Sequence, residues 1–196
     1  MTEHYFSRTP SVSSNPRKIE VQARGVAVWM KTDAGVFSKD ELDKGTQILI
    51  EHVDLSRGAF VADLGCGYGV VTAILGVVYT DSSWIMMDVN ERAVSLAIEN
   101  TKRLEPRVRA AVSDGFSSFP EAVCTDVILN PPIRAGKETV HRLYKEAKEH
   151  LQPGGSLWIV IQKKHGAPST EMFLQNLFDQ VEVRYKKSGY YVFRCF

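Results

Sequence analysis

Cysteine is scarce in this chain of 196 residues. The three present, Cys66, Cys124 and Cys195, are odd in number, widely spaced and never paired as C-x-x-C. That argues against a disulfide framework or a zinc site and predicts reduced thiols in a cytosolic protein. No run of 18 apolar residues occurs, and no basic-apolar-small signal pattern opens the chain, so neither a membrane helix nor a secretory leader is expected. His141, His150 and His165 have no cysteine or carboxylate at ligand spacing, and no metal is expected. There is no G-x-S-x-G and no hydrolase-like Ser-His-Asp order. Internal repeats and low-complexity tracts are absent.

An excess of charge of one sign is lacking too. The net charge is +1, which by itself points to no nucleic-acid partner. The distribution says slightly more: residues 1–31 carry five Lys/Arg against two acids, residues 163–196 six against three, and the middle is acidic. Either this is an ordinary solvated surface, or the two ends form a basic rim.

What is present is the composition of one folded domain, 44% apolar and 24% charged. Residues 1–18, rich in Ser, Pro and Asn, read as an irregular arm. "IEVQARGVAVWM" alternates on both sides of Arg24-Gly25 and predicts a β-hairpin. Ser38 and Glu41 have capping-box spacing, which places a helix from there to about residue 53. From residue 59 strands and helices alternate: "AFVADLG", "SWIMMDV", "VRAAV", "CTDVILN" and "SLWIVIQ" read as strands with helices between them. Asn90 is expected to cap one helix. Others are expected at about 137–151 and 169–178, before a final hairpin of "VEVRY" and "YYVFRCF". This order predicts an α/β fold with a doubly wound, mainly parallel seven-stranded sheet, a C-terminal antiparallel hairpin and an N-terminal β-hairpin extension. Residues 1–37 would be the extension and 38–196 the enzymatic domain.

In such sheets ligands sit beyond the C-terminal strand ends, where strand order reverses. The first strand of the alternating region ends "DLGCGYG". Gly65, Gly67 and Gly69 permit a tight turn and close backbone approach at a helix N-terminus, with Cys66 inside the loop. Their G-x-G-x-G spacing differs from the dinucleotide G-x-G-x-x-G. Asp63 either holds an ammonium group or satisfies backbone donors in the turn. Asp88, followed by Val89, ends the next strand; it either accepts from both ribose hydroxyls or initiates the following helix. Asp114 and Gly115 end the next, where a carboxylate can accept from an adenine amine. Together the three acids describe a pocket for an adenosine with a cationic tail. The fourth strand ends in Asn130, Pro131, Pro132 and Ile133, and two prolines in succession stop it abruptly.

With these residues the chain resembles the class I S-adenosylmethionine-dependent methyltransferases. "DLGCGYG" resembles their first motif, and "NPPI" resembles the [DN]-P-P-[YF] motif of those that methylate planar nitrogen. The resemblance implies that the Asn130 side-chain oxygen and the Pro131 carbonyl each accept one N–H of an exocyclic amine. The prolines keep that geometry rigid, and no strong base is needed. "GVFSKDELDKGTQILI", "NPPIRAGKETVHRLY" and "GYYVFRCF" are similar to the RsmC-type branch, the small-subunit ribosomal RNA guanine-N2 methyltransferases, in their short, single-domain form. The fourth motif position, usually an aromatic that stacks on the base, is Ile133.

The expected cofactor is therefore S-adenosylmethionine and the expected partner ribosomal RNA or the small ribosomal subunit. Rivals are a protein glutamine or small-molecule amine methyltransferase, a nicotinamide oxidoreductase, and a silent RNA-binding factor. Phe37 either closes over the cofactor or staples the helix start. Arg134, Lys137, Lys163 and Lys164 are candidates for substrate contact. A basic rim would add Arg8, Arg17, Lys18 and Arg24 from the N-terminal region and Lys186 and Lys187 near the C-terminus, with the target base turned out of its stack.

Overall fold

The computed structural model describes residues 9–196. Strands β1 (Arg17–Ala23) and β2 (Val26–Thr32) form an antiparallel hairpin in full register from Arg17↔Thr32 to Ala23↔Val26. The other strands make one seven-stranded sheet: β3 (Phe60–Leu64), β4 (Ser83–Asp88), β5 (Val108–Val112), β6 (Cys124–Leu129), β7 (Leu151–Gln162), β8 (Val181–Lys187) and β9 (Tyr190–Cys195). Its order is β5-β4-β3-β6-β7-β9-β8; all pairs are parallel except those made by β9. The chain winds outward from β3 through β4 and β5, then returns to β6 on the other side of β3. The order therefore reverses between β3 and β6.

The helices are α1 (Lys44–His52), α2 (Val70–Val78), α3 (Glu91–Thr101), α4 (Lys137–Glu149) and α5 (Ala167–Leu177). Alternation along the strands assigns them to two faces. Trp158 and Val160 of β7 join a core with Leu49 of α1, Ile74 of α2 and Met30 of the hairpin. Leu157, Ile159 and Ile161 join the opposite core with Tyr144 of α4 and Leu174 of α5. The N-terminal hairpin thus packs into one of the two cores.

The helix start expected at Ser38 is corrected. Ser38 sits at φ 57°, a left-handed conformation, and its hydroxyl donates to the Glu41 carbonyl without opening a helix. The N-cap of α1 is Asp43, whose carboxylate accepts from Thr46 N at 2.8 Å. Asn90 caps α3 as expected, accepting from Arg92 N and Ala93 N.

Candidate active site

Register brings the strand-end residues onto one line. Leu64 pairs with Met87 on one side and Leu129 on the other. The next residues, Gly65, Asp88 and Asn130, therefore emerge side by side at the switch point. Gly65 N and Cys66 N both donate to Met87 O, which tightens the turn against β4. Gly69 must lack a side chain: a Cβ there would lie 3.0 Å from Ala97 Cα and Cβ, separating α2 from α3.

Two cavities meet there. The smaller, about 180 Å³, is walled by the glycine turn with Asp63, Met87, Asp88 and Val89, and reaches Asp114 and Gly115. The larger is an open groove of about 640 Å³ between the loop before α1, the turn after β6 and the ends of β7 and β9. Phe37, Ser38, Asp43, Asn130 and Pro131 belong to both walls.

Asp63 is 3% exposed, and its Oδ2 accepts from Thr72 N at 3.3 Å and Thr72 Oγ1 at 2.8 Å. Burial pushes its carboxyl up to about 7 despite the two Thr72 bonds, and the charge of Asp88 adds to the rise. Asp88 is also pushed up by burial, although Gly67 N donates to its Oδ2 and Asn90 N to its Oδ1, both at 2.9 Å. Val89 N donates to the same carboxylate, so three of its four lone pairs are taken and one remains; the helix-initiating reading and acceptance from a hydroxyl are compatible. Cys66 is buried, and burial together with Asp63 and Asp88 raises its thiol well above the usual range, which suits packing and not nucleophilic attack.

Asp114 differs from the other two acids. Its side chain is 67% exposed and paired at 2.5 Å with Arg142 of α4, which also holds Glu146. A Cβ on Gly115 would lie 1.8 Å from Glu146 Oε2, so α4 fills that side of the cavity. Arg142 is a wall residue that strand-end reasoning missed.

Asn130 is half-buried and Pro131 buried. The Asn130 Nδ2 donates to Thr46 Oγ1 at 2.8 Å and to Asp43 Oδ2 at 3.1 Å. Ile133 N donates to the Pro131 carbonyl at 2.9 Å, taking one of its two lone pairs. Ile133 and Arg134 lie on the groove, in a short 3-10 turn. Phe37 does not occupy the staple position, because Leu42 directly precedes the true N-cap. Its loop is tied down by Asn90 Nδ2 to Gly35 O (2.8 Å) and Arg92 to Ala34 O (2.5 Å).

The expected cations divide. Arg134 and Lys164 line the groove; Lys137 and Lys163 are exposed and belong to neither wall. Arg24 is corrected: its guanidinium bonds Ile50 O and Val53 O at the far end of α1 and lies 5.5 Å over the Tyr79 ring. Nine helical residues, about 13 Å, separate it from Asp43. Arg17 pairs with Asp40, which lines the groove, and Arg8 lies outside the described residues. Sequence reasoning also missed Tyr68, inside the glycine turn. It is 2% exposed and lines the smaller cavity, and its hydroxyl has no hydrogen-bond partner among the described residues. No group of three or more potential metal ligands and no helix long and apolar enough to cross a membrane occurs among the described residues.

Residues 27–194 match the family model described as methyltransferase small domain. The chain is 43% identical over its whole length to "Uncharacterized protein YbxB" of Bacillus subtilis, covering 98% of that protein. It is 32% identical to ribosomal RNA large subunit methyltransferase G of Streptomyces avermitilis, over 83% of this chain and 43% of the relative. It is equally similar, at 32%, to ribosomal RNA small subunit methyltransferase C of Stutzerimonas stutzeri, over 77% and 46%. The chain therefore spans less than half the length of these two RNA methyltransferases. Among solved structures, the 16S rRNA N2 methyltransferase (RsmC) of T. thermophilus, in complex with AdoMet and guanosine, superposes with a TM-score of 0.81. It is 22% identical, and the match covers 95% of this chain and 52% of that one.

Proposed function

The chain belongs to the methyltransferase small domain family, and from that premise we propose that it transfers a methyl group from S-adenosylmethionine to guanine N2 in ribosomal RNA. The observation that carries this reading is the position of Asn130 and Pro131 in the wall shared by the two cavities. A donor in the smaller cavity and an acceptor in the groove would meet across them.

The smaller cavity fits such a cofactor in three respects. Asp63 and Asp88 are carboxylates whose burial raises their pKa values, an arrangement that a cationic ligand relieves. The Asp88 carboxylate retains one lone pair to accept from a ribose hydroxyl. Tyr68 holds a buried hydroxyl that a bound ligand can satisfy. S-adenosylmethionine, when bound, supplies an electrophilic methyl on a sulfonium that departs as a neutral thioether, while the methylated amine releases a proton to solvent.

The chain's own contribution is orientation. An exocyclic amine is a poor nucleophile because its lone pair is delocalised into the ring. Accepting its two N–H bonds, by Asn130 Oδ1 and by the remaining lone pair of the Pro131 carbonyl, turns the amine's lone pair towards the methyl group. The two prolines stiffen the Pro131 carbonyl and the backbone that carries Asn130.

The groove also favours guanine over other amines. Gln162 Nε2 donates to the Tyr190 hydroxyl at 2.7 Å, and both side chains line the groove. That bond leaves the Gln162 carbonyl as an acceptor and the Tyr190 O–H as a donor. Beside its N2 amine guanine offers N1–H and then O6, a matching donor and acceptor. Adenine and cytosine offer a ring acceptor next to their amines, which would oppose the Gln162 oxygen. Ile133 supplies apolar contact, and Arg134 and Lys164 supply charge for phosphates.

The test is product identity. Unmodified ribosomal RNA is incubated with the protein and methyl-labelled S-adenosylmethionine, then digested to nucleosides. The expected labelled product is N2-methylguanosine. Label in methyladenosine, or in protein alone, would overturn the reading.

A further inference from the structure

We propose that Asp43 and Thr46 are positioning residues that decide which end of the Asn130 amide faces the groove. The proposal rests on the amine-methylating reading above, because only there does the orientation matter. The two ends of a carboxamide are nearly equal in size, and a half-turn exchanges acceptor for donor. An NH₂ group turned to the target amine would set donor against donor and could not orient it. Something must therefore break the symmetry of the side chain, and neither β6 nor the two prolines can do so.

Asp43 does. Its Oδ2 lies 3.1 Å from Asn130 Nδ2, and a carboxylate only accepts, so the nitrogen end must face it. Thr46 reinforces the choice. Its hydroxyl donates to the same Asp43 oxygen at 3.1 Å and is left as an acceptor for Asn130 Nδ2 at 2.8 Å. A flipped amide would bring its oxygen against the carboxylate, and Thr46 could donate to that oxygen only by giving up its own bond to Asp43. Asp43 is itself fixed, since it caps α1 by accepting from Thr46 N. Gly45 leaves room for this, because a Cβ there would lie 3.0 Å from Asp43 Oδ2. The cap of α1 and the end of β6, 87 residues apart, form one hydrogen-bonded unit.

Substitution tests the proposal. One atom, Asp43 Oδ2, both caps Thr46 N and accepts from Asn130 Nδ2. Asp43→Ser keeps a residue that caps helices as well as aspartate, but its shorter side chain, with its hydroxyl on Thr46 N, cannot meet Asn130 as well. Asn130→Asp keeps an acceptor at the wall but opposes two carboxylates. On an unmodified small-subunit rRNA transcript, kcat is expected to fall about tenfold or more in Asp43→Ser, with a much smaller change in KM for S-adenosylmethionine. Asn130→Asp should fall about 10²-fold, the scale for one lost preorganised group, and recover partly as pH is lowered and a proton bridges the pair.

A readout independent of turnover is the exchange of the Asn130 side-chain NH₂ protons in nitrogen-15 NMR, assigned by their loss in Asn130→Asp. They should be protected in the wild type and exchange about tenfold faster or more in Asp43→Ser. Unchanged exchange or a wild-type kcat in Asp43→Ser would overturn the proposal. If the wild type transfers no methyl to the transcript while its amide protons are protected, the functional reading falls and the amide orientation stands.

Discussion

The two cavities are built on different plans. In the smaller one the two buried carboxylates are held mainly by backbone and by Thr72: Thr72 bonds Asp63 from nine residues away, and Gly67 and Asn90 hold Asp88 from 21 and two. Most of those donors are backbone amides of a turn and a helix start. In the groove, Asn130 is held by side chains 84 and 87 residues away, and Gln162 by one 28 residues away. The first plan is rigid because the fold itself makes it. The second depends on α1, β6, β7 and β9 arriving together.

That contrast can be broken by substitution, taking the largest effect first. Asn130→Ala should lower methyl transfer by about 10²-fold or more while S-adenosylmethionine affinity changes far less, as measured by single-turnover assay and calorimetry on one preparation. Asp88→Ala should do the reverse, weakening S-adenosylmethionine by about 1.5–3 kcal/mol, the range for hydrogen bonds to charged groups. Unchanged affinity in a folded variant would remove Asp88 from the site.

Acid should weaken cofactor binding less strongly. A cation against Asp63 requires its ionised form, and the group titrates at about 7 in the ligand-free protein. Below that value binding must expel a proton, so affinity should drop about tenfold between pH 8 and pH 6. The same proton affects stability with the opposite sense. The unfolded carboxyl ionises near 3.8 and the folded one near 7. The ligand-free protein should therefore lose stability as pH climbs between those values, and Asp63→Asn should reduce the slope, leaving the part owed to the buried Asp88 and Asp126.

Smallest of all, Tyr68→Phe should stabilise the ligand-free protein by about 1 kcal/mol, because a buried unpaired hydroxyl is costly. A melting temperature raised by about 2–4 °C, with a smaller gain at saturating cofactor, would mark Tyr68 as a residue kept for its ligand.

The same division explains what could be read from the sequence. Asp63, Asp88 and Asn130 each end an apolar strand beside glycines, a cap or prolines, so local pattern suffices to find them, and the alternation of strands and helices gives the doubly wound sheet. Asp43 was hidden because Ser38 and Glu41 match a capping box; the loop tied to α3 displaces the helix start to the next acid. Tyr68 was hidden inside the glycine spacing, where it reads as filler. Asp114 was legible as a strand end, but its partner Arg142 arrives from α4, 28 residues on, and no local pattern announces it. Arg24 looked like one cation among several until the hairpin carried it to the wrong end of α1.

The most direct test is whether the two cavities can be filled at once. Calorimetric titration of S-adenosylhomocysteine would be performed with and without saturating guanosine monophosphate. If Asn130 and Pro131 form a wall between separate donor and acceptor sites, the two ligands bind together and the affinity for S-adenosylhomocysteine is unchanged or tighter. Mutual exclusion, with apparent affinity falling in proportion to added nucleotide, would mean a single shared cavity and would contradict the account.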